Sequence, residues 1–243
     1  MGNKTPKTQS AAPREPLLLA LESATGVSSV AVFAGSKLLG VTDYHQEKLH
    51  SRLLTVMVDR LLADLSIAPA ELAAVGVASG PGSYTGLRVG VSTAKGLCMA
   101  LDKPLLSVGS LAALAQTVTD LAQALDAVIV PMIDARRMEV FCGVFDALGQ
   151  SIAPVIAKVV EADAFAEWLD RGKVIFLGDG AAKCAPLLHH PHAVLLGKRF
   201  STAAGMGPGL WQKFQSQEFE DLITFEPFYL KNFVATKPKN KIL

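Results

Sequence analysis

Cysteine is scarce. The 243 residues contain three, Cys98, Cys142 and Cys184, with no pair at Cys-x-x-Cys spacing. That excludes a disulfide framework and a zinc ribbon. Each lies among apolar or small residues, as expected of a buried free thiol in a reducing cytosol. Charge of one sign is also lacking: 23 Lys+Arg stand against 22 Asp+Glu, for a net charge of +1. No overall field draws such a chain to nucleic acid or to an anionic membrane. No apolar run approaches the roughly 18 residues of a membrane helix. Lys4, Lys7 and Arg14 ahead of Leu17–Leu21 imitate a secretory signal, but the apolar stretch is too short and Glu22 ends it. The expected location is the cytoplasm. Hydrophobic residues make up 50 % of the chain and charged ones 19 %, the reverse of a disordered composition, so a core can be buried.

Catalytic motifs are missing as well. No Gly-Lys-Ser/Thr completes a Walker loop, no Gly-x-Ser-x-Gly elbow occurs, and no cysteine has a histidine partner by motif. His45 and His50 are five apart, and His189, His190 and His192 surround Pro191 as in a loop. Neither spacing forms a helical ligand pair, so no metal site is expected.

What is present is alternation of strand and helix patterns. Residues 1–16 hold three prolines and no apolar period, a disordered tail by composition. Leu17–Glu22, Val27–Phe33 and Lys37–Tyr44 read as a three-stranded antiparallel meander. Leu53, Leu54, Met57, Val58, Leu61, Leu62 and Leu65 then recur at helical spacing. A buried strand at Ala73–Ala78, a helix over about Thr85–Leu101, a strand at Leu105–Val108 and a helix at Ser110–Leu125 follow. Near Asp126 the order restarts. Val128–Ile133 and Val140–Phe145 bracket Asp134-Ala135-Arg136-Arg137 as a hairpin with local ion pairing, and Val155–Val160 adds a strand. Ala162–Leu169 is predicted helical, Val174–Leu177 a strand before the Gly178-Asp179-Gly180 turn, Ala193–Leu196 a strand and Thr202–Phe214 a helix. The prediction is an α/β chain of two related lobes: 17–113, 114–226, and a C-terminal segment with a basic tail over 227–243.

Ser79-Gly80-Pro81-Gly82-Ser83-Tyr84-Thr85-Gly86 is the sharpest local feature. Its glycines allow a tight strand-to-helix turn, and Ser83 or Thr85 can cap the helix that follows. The free N–H groups of such a start attract phosphate or carboxylate; a plain turn is the alternative. Gly86, Gly90 and Ala94 share one helix face. Two glycines inside a helix imply close approach of another backbone, either within the chain or from a second one. The wide apolar face of the preceding helix is likewise either core or a partner surface. Lys231, Lys237, Lys239 and Lys241 form either a solvated tail or a phosphate contact.

Several stretches together are similar to the TsaB (YeaZ) family: Leu19–Thr25, His50–Leu54, Ala78–Gly90, Val108–Leu114, Ile133–Val140 and Pro227–Lys231. The resemblance is dense from Leu17 to about Phe145. It implies a two-lobed α/β fold of the actin, hexokinase and Hsp70 type (ASKHA). It also implies a role in forming N6-threonylcarbamoyladenosine at position 37 of tRNAs that read codons beginning with A. In that system TsaD transfers the group and TsaE is the accompanying ATPase. A TsaB-type chain is then a partner that supports TsaD, performs no catalysis and needs no cofactor. tRNA is met through the complex, and a homodimer is a further possible assembly. The resemblance further implies pairing through the two helices of the first lobe, with Leu54, Met57, Val58, Leu61, Gly86, Gly90 and Ala94 at the contact. Leu61→Glu or Gly90→Leu is then expected to break the complex and leave a folded monomer. An anion or nucleotide would meet Glu22, Gly80, Gly82, Ser83 and Thr85. Two departures stand against catalysis. Kinases of this fold hold hydrated magnesium with an Asp at the end of the first strand, where this chain has Glu22, and no His-x-x-x-His pair occurs. An ATP-binding kinase or ATPase of the same fold is the alternative function.

Overall fold

The computed structural model of the chain describes residues 15–45 and 50–231. The N-terminal tail before residue 15 and Lys237, Lys239 and Lys241 lie outside the described residues.

Two five-stranded sheets organise the chain. In the first, β1 (Leu17–Glu22), β2 (Ser28–Ala34), β3 (Lys37–Tyr44), β4 (Leu72–Gly80) and β5 (Leu105–Gly109) lie in the order β3-β2-β1-β4-β5. In the second, β6 (Ala127–Asp134), β7 (Glu139–Phe145), β8 (Ser151–Val159), β9 (Lys173–Leu177) and β10 (Ala193–Leu195) lie in the order β10-β9-β6-β7-β8. Reading the second backwards makes the correspondence plain. The first three strands of each set pair antiparallel, and the first, fourth and fifth pair parallel. One topology is built twice, as the expected two-lobed fold requires.

Strand sequence explains strand position. β1 is apolar at nearly every residue because both its faces are covered. Leu19 and Leu21 point into one core and Leu18 and Ala20 into another. α1 (His50–Asp64) and α2 (Tyr84–Leu101) cover the first face; α7 (Gly207–Ser216) covers the second, through Leu210. This last helix follows the second sheet in sequence yet returns to the first. α3 (Ser110–Gln116) is shared between the sheets: Ala113 packs in the core under α7, and Leu111 and Leu114 pack against the second sheet. On the opposite face of the second sheet, α5 (Ala166–Leu169) and α6 (Asp179–Cys184) complete the core. The three cysteines are buried and free. Desolvation pushes the Cys98 and Cys142 thiols up to about 11.

Three predicted helices are corrected. The helix expected over Ser110–Leu125 is two, α3 and α4 (Thr119–Leu125). The break falls in Thr117-Val118-Thr119, where β-branching disfavours the helix and the hydroxyls of Thr117 and Thr119 bond back to the carbonyls of Leu114 and Gln116. The segment expected helical over Ala162–Leu169 is helical from Ala166 alone. The helix expected from Thr202 opens as a 3-10 turn, Ala203–Met206, and becomes α-helical at Gly207 with Pro208 in the first turn, where its missing N–H costs nothing.

Candidate functional site

The C-terminal ends of β1 and β4 meet the start of α2, and the glycines there decide the geometry. An added Cβ at Gly82 would lie 2.3 Å from the carbonyl oxygen of Ala24, and one at Gly86 would lie 2.0 Å from that of Ser23. The turn after β4 and the loop after β1 are therefore in backbone contact. Two hydrogen bonds fasten them: the Ser83 N–H donates to the Ala24 carbonyl at 2.6 Å, and the Ser23 hydroxyl donates to the Gly86 carbonyl at 2.9 Å. Within the turn, the Ser83 Oγ accepts from the Gly86 N–H at 3.3 Å. Ser83 is thus the N-cap of α2, and Thr85 is exposed in its first turn. Gly80, at φ +110°, closes the turn where its Cβ would meet the Phe228 carbonyl at 2.8 Å.

Glu22, at the end of β1, is fully buried. Its Oε1 accepts from the Ala24 N–H at 2.6 Å and its Oε2 from the Ser201 hydroxyl at 2.5 Å. Beside it, the Ser29 hydroxyl donates to Asp43 and its oxygen accepts from the Ala203 N–H at 2.8 Å. Residues 201–203 are therefore clamped across the ends of β1 and β2. Ser201 and Ala203 carried no local signal, because they lie 179 and 174 residues from their partners. Burial pushes the Glu22 carboxyl above its ordinary 4.5, opposed by the hydrogen bonds from Ser201, Ala24 and Ser23. Two buried hydroxyls close to this turn in sequence or pairing, those of Thr25 and Ser110, have no hydrogen-bond partner among the described residues.

The raised Glu22 value fixes the sign of a pH effect. Above about pH 4.5 the unfolded chain releases the Glu22 proton first, so stability falls as pH climbs toward the folded value. Glu22→Gln removes this dependence. Its urea midpoint relative to wild type is expected to rise from about pH 5 to about pH 8; a flat difference would show that Glu22 holds no extra proton.

The second sheet carries the corresponding carboxylate, Asp134 at the end of β6. Here the surroundings are open. Asp134 is exposed, pairs with Lys183 and accepts from the Arg136 N–H at 2.7 Å, while its own N–H donates to Asp179 at 3.0 Å. Burial pushes the Asp179 carboxyl up, against the pull of the Asp134 and Gly180 N–H groups. Gly178, at φ +110°, would place a Cβ 2.0 Å from the Met132 carbonyl, so the Gly178-Asp179-Gly180 turn packs on its neighbouring strand as the glycine turn of the first sheet packs on Ser23. The ion pairing expected inside the hairpin runs elsewhere: Asp134 binds Lys183, and Glu139 binds Lys231. Among the described residues no three His, Cys, Asp or Glu side chains gather as a metal would need.

The family model of TsaD, the tRNA N6-adenosine threonylcarbamoyltransferase, matches residues 35–240. The tRNA threonylcarbamoyladenosine biosynthesis protein TsaB of Bacillus subtilis is 32 % identical over 166 residues, 66 % of this chain and 70 % of that protein. The chain belongs to the TsaB family. TsaB of Escherichia coli is 27 % identical over 233 residues, 90 % of this chain and 96 % of that one. A crystal structure from Pseudomonas aeruginosa, described as an uncharacterized protein with similarity to peptidase YEAZ, superposes with a TM-score of 0.79 at 26 % identity, over 89 % of this chain and all of that one. With the doubled sheet topology, these matches make the fold the two-lobed ASKHA type.

The positions expected at a TsaB partner contact are held inside the chain. Leu54, Met57, Val58 and Leu61 of α1 belong to the core over β1 and β2, each with 6 % exposure or less. Ala94 lies in that core too, while Gly86 and Gly90 press on Ser23, whose Oγ would sit 2.4 Å from a Cβ at Gly90. The stripe of small residues serves an internal close approach. Leu61→Glu and Gly90→Leu therefore act on folding. Each is expected to cost about 3 kcal/mol or more, read as a lowered denaturation midpoint; a wild-type midpoint in both would place these residues outside the core. The outward faces of the two helices differ in composition: Val56 is 40 % and Met99 75 % exposed, Ser92 is exposed, and a Cβ at Gly96 would meet nothing within 4 Å.

Proposed function

We propose that this TsaB-family chain is a non-catalytic partner of TsaD in the formation of N6-threonylcarbamoyladenosine at position 37 of tRNAs reading ANN codons, with TsaE as the accompanying ATPase. The observation that carries the reading is the state of Glu22. At the position where a kinase of this fold would hold hydrated magnesium, both carboxylate oxygens are committed to Ala24 and Ser201, and the side chain has no exposure. Binding a metal–nucleotide there requires breaking both hydrogen bonds and displacing residues 201–203. The glycines of the adjoining turn are likewise filled by the chain's own backbone. The same observation weighs against the ATPase or kinase alternative.

TsaD, or a second copy of this chain, meets the outward side of α1 and α2. A large apolar side chain at 75 % exposure on a helix that also carries an open glycine suits close packing against another helix. tRNA is reached through the assembled complex. Reconstitution decides between the readings. TsaD, TsaE and this chain together are expected to threonylcarbamoylate tRNA, and omission of this chain to remove most of the activity. The isolated chain is expected to leave both ATP and tRNA unchanged. ATP turnover by this chain alone, lost in Glu22→Gln, would establish the enzyme instead.

A further inference from the structure

After α7 the chain does not stop at the first sheet. Glu220 bonds the β5 edge at Leu105, its N–H donating to that carbonyl at 2.8 Å, and its carboxylate accepts from the Ser107 hydroxyl at 2.5 Å. Asp221 then caps a tight turn through the N–H groups of Ile223 and Thr224 at 2.9 and 2.7 Å. From there the chain crosses the mouth of the Ser79–Gly86 turn. The Phe228 N–H donates to the Ser79 carbonyl at 2.7 Å, and the Phe228 carbonyl occupies the space beside Gly80. The Tyr229 ring lies 5.0 Å from that of Tyr84, and the Arg88 guanidinium lies 4.4 Å from the centre of the Tyr84 ring. Two residues further on the chain has reached the other sheet: Leu230 packs against the core under α3 and α4, and Lys231 pairs with Glu139 beside the turn of the β6–β7 hairpin.

A segment tied to one sheet at Ser79 and Tyr84 and to the other at Glu139 makes the relative position of the two a shared property. We propose that residues 217–231 form a strap that joins the sheets across the Ser79–Gly86 turn, so that the turn and the β6–β7 hairpin open and close as one unit. A single residue, Leu230, separates the Tyr229 contact from the Lys231 pair, and so short a link transmits a displacement at one end to the other with little slack. Local opening free energies differ between cooperative units and are equal within one. The strap places the two distant turns in one unit.

Amide hydrogen exchange on the full chain tests this. Lys231→Glu sets like charges at Glu139 and touches the hairpin alone; Tyr229→Ala removes the ring on Tyr84 and touches the helix start alone. Each variant is expected to speed exchange about tenfold at both places, at Gly86 and Leu87 and at Ala135 and Glu139, with the amides of β1 and β6 unchanged. Lys231→Arg keeps the pair and is expected to keep wild-type rates at both. Acceleration confined to the end that carries the substitution, or absent at both ends, overturns the strap.

Discussion

Gly96→Trp is expected to leave the monomer intact and to abolish the proposed complex with TsaD. Gly96 sits on the exposed side of α2 with nothing within 4 Å of a Cβ placed there. A large side chain is therefore accommodated by this chain at no steric cost. Replacing a helical glycine even adds up to about 1 kcal/mol of helix stability. What it removes is the flat approach to the helix backbone, because an indole stands several ångströms above the surface a partner helix would need to touch. The dissociation constant for TsaD, measured by calorimetry, is expected to rise at least about a hundredfold, or about 2.7 kcal/mol, and tRNA modification in the reconstituted system to fall with it. Val56→Glu, on the outward side of α1 at 40 % exposure, is expected to weaken the complex in the same direction. Wild-type affinity in both variants would move the contact to another part of the surface.

Gly86→Ala is expected to do the opposite of Gly96→Ala, although both replace a glycine of one helix by the best helix former. At Gly86 the new methyl would lie 2.0 Å from the Ser23 carbonyl oxygen, and the Gly86 carbonyl accepts the buried Ser23 hydroxyl. Relief requires α2 to move away from the end of β1, and that movement disturbs the Ala24 contacts of Ser83 and Glu22 together. A loss of about 3 kcal/mol is expected at Gly86, against a gain of up to about 1 kcal/mol at Gly96. For a chain of this size the melting temperatures would move by several degrees in opposite directions. Shifts of the same sign would contradict the assignment of one glycine to the core and the other to the surface.

Strand and helix positions were legible because the chain's periodicities are strong. Leu17–Glu22 is apolar on both alternating faces, which identifies a central strand, and Leu53 to Leu65 repeats at helical spacing over three turns. The break at Thr117-Val118-Thr119 was less so, since the apolar period continues across it while the hydroxyls close local bonds. Glycine spacing marked the Ser79–Gly86 turn and the notched face of α2. It said nothing about what fills the notch, because an internal backbone and a partner helix make the same demand on a residue type. Ser23, which fills it, gave no signal of its own.

By itself, then, the sequence determined the order of strands and helices, the repeat of one α/β pattern in two halves, the position of the strand-to-helix turn and the family resemblance carried by its motifs. These are properties of local pattern, fixed within a few tens of residues. Tertiary structure alone decided that the apolar and small faces of α1 and α2 turn inward, that Ser201 caps Glu22 across 179 residues, that α7 returns to the first sheet and that Lys231 reaches Glu139. Such contacts depend on how two sheets and their covering helices close on one another. Burial and pairing across that closure are energies of the whole packing, and no residue's neighbours in sequence carry them.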